Sequence, residues 1–423
     1  MKKLFLFSTA TATVSVLLLA AQCAAVAAAT DLDPNSNFNF NFGGEKDWPN
    51  AIAISPTNIY SAAAGFGFEP GADLIAEPKA IASAKPFYFS VKVPEGNYRV
   101  TAVLGDQTNE ATITVKAELR RLMLEKIHVA PGALETRDFI VNVRIPRISE
   151  TNHVHLKSRE EQSELWAWDD KLTLEFNGVH PSVAGLRIAK VTVPTVFLMG
   201  DSTVCDQPAE PWNSWGQMLP RFFQPDIAVA NHAESGETVA DALRAQRFEK
   251  IFSLMQPGDY LFVQFGHNDM KNHATNALER YSADLKQVVE RTRQLGGIPV
   301  LVTSMERRGG VVENTLLGYP QATRDVAREE GCALIDLNAM SKKFYAAIGA
   351  DLEKAFQDGT HHNNYGSYEL AKCVIEGIKQ DKLPLAKFIV PDFGDFDPAK
   401  PDAVATFEMA VSPVASRVKP LGN

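Results

Sequence analysis

The stretch FLMGDST (197–203) sets Ser202 directly after three apolar residues, a glycine and an aspartate. A serine so placed either starts a helix as its cap or presents a hydroxyl nucleophile. Three further stretches bear on the choice: NHAESGE (231–237) with Gly236, GHND (266–269) with His267, Asn268 and Asp269, and QDGTHHNN (357–364) with Asp358, His361 and His362. Together they hold a hydroxyl, imidazoles to take its proton, carboxylates to steady an imidazolium and amides to meet an oxyanion, which is the equipment of acyl transfer. Taken singly, each has a plainer reading. Asp201 or Ser202 could cap a helix, Gly236 could be a turn glycine, Asn268 and Asp269 turn or cap residues, His361 a solvated loop histidine and Asp358 the cap of the last helix. Their conjunction in one chain favours chemistry.

The elements around these stretches explain how they could meet. After Pro194 the chain alternates short apolar runs (TVFLMG, IAVANHA, YLFVQFG, IPVLVTSM, ALIDLN) with helical stretches at 276–294, 321–330 and 365–380. Such runs are the pattern of buried parallel strands, so this part is expected to be a doubly wound α/β domain. In that architecture the loops at the carboxyl ends of the strands converge on the crevice where the strand order reverses. The first three stretches follow the first three predicted strands.

Between about Asn37 and Val193 the rhythm differs. Alternating segments such as FYFSVKV (87–93), YRVTAVLG (98–105), ATITVKAEL (111–119), FIVNVRI (139–145) and KLTLEFNG (171–178) predict an all-β sandwich. From Pro391 the chain is rich in Pro and Asp and lacks periodicity, as expected of a tail along the surface. The expected boundaries are therefore 1–29, 30–193, 194–390 and 391–423.

The first of these reads as an export signal: Lys2 and Lys3, an apolar run through Leu17, Leu18 and Leu19, and small residues ending at Ala29. Gln22 before Cys23 fits lipoprotein processing poorly. No later run reaches the roughly 18 apolar residues of a membrane span. The chain is thus expected to work outside the cytoplasm, periplasmic or secreted. Its formal net charge is −9 and becomes more negative once Lys2 and Lys3 are removed, which disfavours nucleic acid and anionic membrane as partners. Cys205, Cys332 and Cys373 are too few for a disulfide framework. His153 and His155 lack a third ligand, and the chain has neither H-E-x-x-H nor a phosphate-binding glycine loop, so no metal or cofactor is expected.

GDST, the glycine of ESGE, GHND and DGTH stand in the order and approximate spacing of the four blocks of the GDSL/SGNH hydrolase superfamily. The chain resembles most closely its rhamnogalacturonan acetylesterase-like branch, over Pro194 to about Lys382. The β-rich half resembles galactose-binding-like modules. One departure stands out: where family members often follow the second-block glycine with Arg-Ser, this chain has Glu237 and Thr238. The resemblance implies Ser202 as nucleophile, His361 as base in the block's Asp-x-x-His spacing, and Asp358 as its partner. It also implies an oxyanion hole from the N–H groups of Ser202 and Gly236 and the Asn268 amide. His362 is left to structure or the rim, and Asp201 and Asp269 to bracing the loops.

Trp212, Trp215 and His267 are candidate substrate-binding residues, the tryptophans also reading as core; His232 could line the cleft. Tyr60, Phe66 and Phe68 read as packing ahead of a sugar platform. The implied activity is an exported carbohydrate esterase that removes acetyl groups from a pectic polysaccharide. Rival readings are an esterase on acetylated xylan or other short-chain esters, and a non-catalytic carbohydrate-binding protein. The oligomeric state is not legible. Loss of one oxyanion donor typically lowers rate about 10²- to 10³-fold, so Asn268→Ala is expected to turn over p-nitrophenyl acetate that much more slowly while keeping the wild-type circular dichroism spectrum.

Overall fold

Alternation of apolar and polar side chains builds two antiparallel sheets in the first half of the computed structural model, which describes residues 37–44 and 48–421. The expected export signal, with Cys23, lies outside the described residues. One sheet orders the strands Glu135–Val143, Gly96–Leu104, Ser182–Val191, Phe38–Asn41 and Ile52–Ala53, the last pairing parallel, with the hairpin Leu74–Glu77 and Ala80–Ser83 attached to the third. The other orders Phe66–Phe68, Phe87–Lys92, Lys171–Val179, Ala111–Ala117 and Arg121–Val129. Between them lies an aromatic core in which Phe89 meets Phe40, Phe42 and Phe68 edge-on, with ring centroids 5.1–5.2 Å apart. Phe68 is therefore core, while Tyr60 holds the Lys171 ammonium 4.9 Å from its ring centre.

The second half carries a five-stranded parallel sheet. Numbered by their order along the chain, the strands Thr195–Gly200, Ala228–Asn231, Tyr260–Gln264, Ile298–Val302 and Ala333–Ile335 lie side by side as second, first, third, fourth and fifth. Neighbouring side chains leave opposite faces: Leu198 joins one apolar cluster, and Phe197 and Met199 the other. Helix Ala277–Gln294 covers the second face with a stripe of Tyr281, Leu285, Val288 and Val289, the spacing of an amphipathic helix. Helices Trp215–Met218, Leu337–Ile348 and Asn364–Gln380 cover the first. The chain is a doubly wound α/β parallel sheet preceded by an all-β sandwich, as the pattern predicted. Strands Arg121–Val129 and Ser182–Val191 and helix Leu337–Ile348 were not anticipated.

The halves are joined by buried charge. Residues 118–120 turn between strands Ala111–Ala117 and Arg121–Val129, with Glu118 and Arg120 both at positive φ, and this tip inserts beneath the loop that follows the first parallel strand. Arg120 donates to the carbonyl oxygens of Gln207 (3.1 Å) and Trp212 (3.0 Å), and its guanidinium lies 2.6 Å from Glu210. Arg121 reaches Asp206 at 3.3 Å. The tail closes the same network. Asn177 donates to the Val411 carbonyl oxygen, and Ser412 bonds Glu175 and Lys116, so residues 410–412 cover the polar face of strand Lys171–Val179.

Removing one member of a buried ion pair strands its partner and typically destabilises by about 3–5 kcal/mol. Arg120→Met keeps the aliphatic volume and leaves Glu210 with a weaker partner in Lys116, 3.7 Å away. A stability loss of that order is expected, read as a lowered urea midpoint at neutral pH.

Candidate active site

The glycine that ends the first parallel strand is dictated by space. A Cβ on Gly200 would stand 2.5 Å from Val204 and 2.6 Å from the Gln264 carbonyl oxygen. The chain then turns through Asp201, whose carboxylate accepts from the Thr203 N–H (3.0 Å) and hydroxyl (2.7 Å) and faces His267 Nδ1 at 3.2 Å. Burial works against this charge, but His267 and Thr203 outweigh it and hold the Asp201 carboxyl below its usual range. Asp201 thus braces the turn that presents Ser202.

Ser202 Oγ lies 2.7 Å from His361 Nε2. The other ring nitrogen of His361 is 3.0 Å from Asp358 Oδ2, while Asp358 Oδ1 accepts from the N–H groups of Thr360 and His361, both at 2.7 Å. Burial would raise the Asp358 pKa, but the bonds from His361 and Thr360 hold it far below the usual carboxylate range. The carboxylate is fixed at both oxygens and cannot rotate away from the imidazole. Asn363, rather than Asp358, caps the final helix by accepting from the Gly366 N–H. His362 turns the opposite way, packs on Phe356 with ring centroids 4.0 Å apart and bonds the Tyr345 hydroxyl at 2.9 Å; burial lowers its pKa to about 3, so it stays neutral.

The loops after the second and third parallel strands come together at the switch point. Gly236 adopts φ +77°, open to glycine at little cost. Among the described residues neither its N–H nor that of Ser202 has a hydrogen-bond acceptor. Asn268 Nδ2 gives one hydrogen to the Glu237 carbonyl oxygen (3.0 Å) and keeps a second. Two main-chain donors and one amide hydrogen are therefore uncommitted in the loops flanking the Ser202 hydroxyl.

Sequence reasoning missed the residues that lock these loops. Gln207 Nε2 donates to the Ser202 carbonyl oxygen (2.7 Å), and Asn231 Nδ2 to the Val204 carbonyl oxygen (2.7 Å) and Asp206 (2.8 Å). Their partners are distant in the chain or on the main chain, so no local motif marks them. The substrate-binding candidates need correction. Trp215 is 1% exposed, in the core, with its N–H on Gln264. His267 is equally buried, with ring nitrogens facing Asp201 and the Met305 carbonyl oxygen. His232 is sealed under Trp168 and does not line a cleft.

Trp212 alone of these side chains borders open space: its ring stands edge-on to His361, centroids 5.8 Å apart, and it lines a cavity of about 590 Å³ with Lys157, Arg159 and residues of the tail. The three described cysteines are unpaired; burial pushes the Cys205 thiol well above its usual range, so it is no thiolate nucleophile.

A hydroxyl on an imidazole on a carboxylate, beside free N–H donors, is equipped to transfer an acyl group. The model of the GDSL-like lipase/acylhydrolase family matches residues 198–367. The rhamnogalacturonan acetylesterase RhgT of Bacillus subtilis is 36% identical over 217 residues, 46% of this chain and 94% of that protein. A probable rhamnogalacturonan acetylesterase of the same organism, YesY, is 32% identical over 47% of this chain and 98% of its own length. A third B. subtilis protein, the uncharacterized esterase YxiM, is 25% identical over 79% of this chain and 88% of its own. The chain belongs to the GDSL-like lipase/acylhydrolase family and is a serine esterase.

Asp269 makes a pH effect testable. One oxygen accepts from the Val239 N–H, the other is buried without a partner, and burial raises its pKa to about 7. A carboxyl whose folded pKa is raised stabilises fully below its unfolded value, and that contribution is lost as pH rises through about 7. Asp269→Asn is expected to flatten the fall in thermal midpoint between pH 5 and pH 8.

Proposed function

We propose that this protein is an exported carbohydrate O-acetylesterase acting on an acetylated pectic polysaccharide of the rhamnogalacturonan type. The observation that carries the reading is the 2.7 Å contact of Ser202 Oγ with His361 Nε2, backed by Asp358 at 3.0 Å, in a chain whose hydrolase part matches two relatives named for rhamnogalacturonan acetyl esters. In this reading residues 30–193 form the sandwich domain, 194–390 the catalytic domain and 391–423 the tail, after removal of 1–29.

Chemically, His361 takes the Ser202 proton as Oγ attacks the acetyl carbonyl carbon. Negative charge then builds on the carbonyl oxygen and is met by the N–H groups of Ser202 and Gly236 and by the free Asn268 amide hydrogen. His361 returns the proton to the sugar oxygen as its bond to the acyl carbon breaks, leaving acetyl-Ser202. A water deprotonated by His361 attacks that ester, acetate leaves, and Ser202 recovers its proton. Asp358, locked by two N–H groups, keeps the imidazole in the tautomer this cycle needs.

The test is acetate release from acetylated rhamnogalacturonan, acetylated xylan and p-nitrophenyl acetate by wild type and by Ser202→Ala. Expected are fastest release from rhamnogalacturonan and loss of at least about 10³-fold in the variant. Fastest release from xylan would move the substrate and keep the chemistry. Equal rates for wild type and Ser202→Ala would leave the chain a carbohydrate binder.

A further inference from the structure

Lys157 belongs to the β-rich half, yet its ammonium ends in the hydrolase's second loop. Nζ donates to the Ser235 carbonyl oxygen at 2.6 Å and lies 2.7 Å from Glu237 Oε1, so it brackets Gly236 from both sides. The Ser235 carbonyl and the Gly236 N–H are the two ends of one peptide unit. That unit is planar and trans, so its C=O and N–H point in opposite directions. Fixing the carbonyl therefore fixes the direction of the N–H. A glycine at φ +77° has no side chain to prevent this peptide from flipping, and the loop needs an outside restraint. A cation on the carbonyl oxygen also polarises the amide and makes its N–H a stronger donor.

We propose that Lys157 is a positioning residue for catalysis: it orients and polarises the Ser235–Gly236 peptide so that the Gly236 N–H meets the oxyanion, and the β-rich half thereby completes the hydrolase site. This rests on Gly236 being an oxyanion donor. Two other contacts converge on the same turn, and one of them links it to the Ser202 loop. The Glu237 carbonyl oxygen receives the Asn268 amide, Ser235 Oγ lies 3.3 Å from Gln207 Nε2, and Gln207 in turn holds the Ser202 carbonyl oxygen. Lys157 is the one cation bonded to this turn's main chain among the described residues, and its side chain is 30% exposed.

The experiment uses full-length Lys157→Met, p-nitrophenyl acetate, which has no sugar for a lysine to contact, and methylboronic acid. The tetrahedral adduct of this inhibitor with Ser202 places an oxygen where the oxyanion develops. Rates are normalised to active sites by the burst of p-nitrophenol. Expected is a fall in kcat/KM of about 10-fold or more, a smaller loss than removal of a whole donor, with an equal rise in the boronate inhibition constant. Lys157→Arg should recover part of both. A merely structural lysine would reduce the burst and leave the inhibition constant of the surviving sites unchanged, and that result overturns the proposal. So does a loss seen on polysaccharide alone, which would make Lys157 a substrate contact. If Lys157→Met does not fold, the same constants are read on Lys157→Gln, where wild-type values overturn it. Ser202→Ala runs alongside: if that variant is active, the reading of the site fails, whereas an inactive Ser202→Ala with an unaffected Lys157→Met removes only the present inference.

Discussion

The hydrogen bond between Ser202 and His361 joins residues 159 positions apart, and its 2.7 Å length leaves little room for either loop to drift. Neither residue can secure it alone. A serine hydroxyl rotates freely and an imidazole swings about two bonds, so each must be held by something rigid. For Ser202 that is the turn braced by Asp201, the Gln207 amide on its carbonyl oxygen, and a glycine at 200 where no other residue fits. For His361 it is Asp358, itself tied by two N–H groups. The parallel sheet supplies the common frame, since the loops that carry Ser202, Gly236 and Asn268 all leave the same edge at the point where strand order reverses.

A second constraint comes from charge. Ion pairs such as Arg120 with Glu210 and Arg247 with Glu160 lie almost wholly out of water between the sandwich, the hydrolase and the tail. Burying such charges is expensive unless they are closely paired and hydrogen-bonded, so a network of this kind tolerates only one relative arrangement of its parts. The energetic penalty is converted into geometric specificity: Arg120 holds the main chain of Gln207 and Trp212, the first next to the Ser202 turn and the second against His361. Glu237 fits the same logic. This acid follows Gly236 in the second loop, and it is paired with Lys157 from the other half.

Much of this architecture was legible in advance, for physical reasons. The parallel strands announce themselves because a strand buried on both faces must be apolar throughout, and helix Ala277–Gln294 because its buried stripe repeats at helical spacing. GDST, GHND and DGTH are legible because each is a local turn whose chemistry is carried by neighbouring residues. Features that depend on contacts distant in the chain were not legible. Trp215 and His267 sit in or beside site loops in sequence, but whether an aromatic side chain faces a cleft or the core is decided by Gln264 and Met305, which are 49 and 38 positions away. The tip 118–121, with two arginines and a glutamate, carries no local sign of burial, and its first two residues read as the end of strand 111–119; it is buried because acids from the hydrolase half meet it. Lys157 was invisible for the same reason.

The central claim is that Ser202 becomes covalently acetylated during turnover. Rapid acid quenching of the enzyme with p-nitrophenyl acetate, followed by proteolysis and mass spectrometry of the peptide bearing Ser202, tests it directly. The account predicts one acetyl group on that serine, present during turnover and gone when substrate is exhausted. An unmodified Ser202 peptide during steady turnover, with the acetyl group on another residue or on none under conditions where the acyl-enzyme should accumulate, would contradict it.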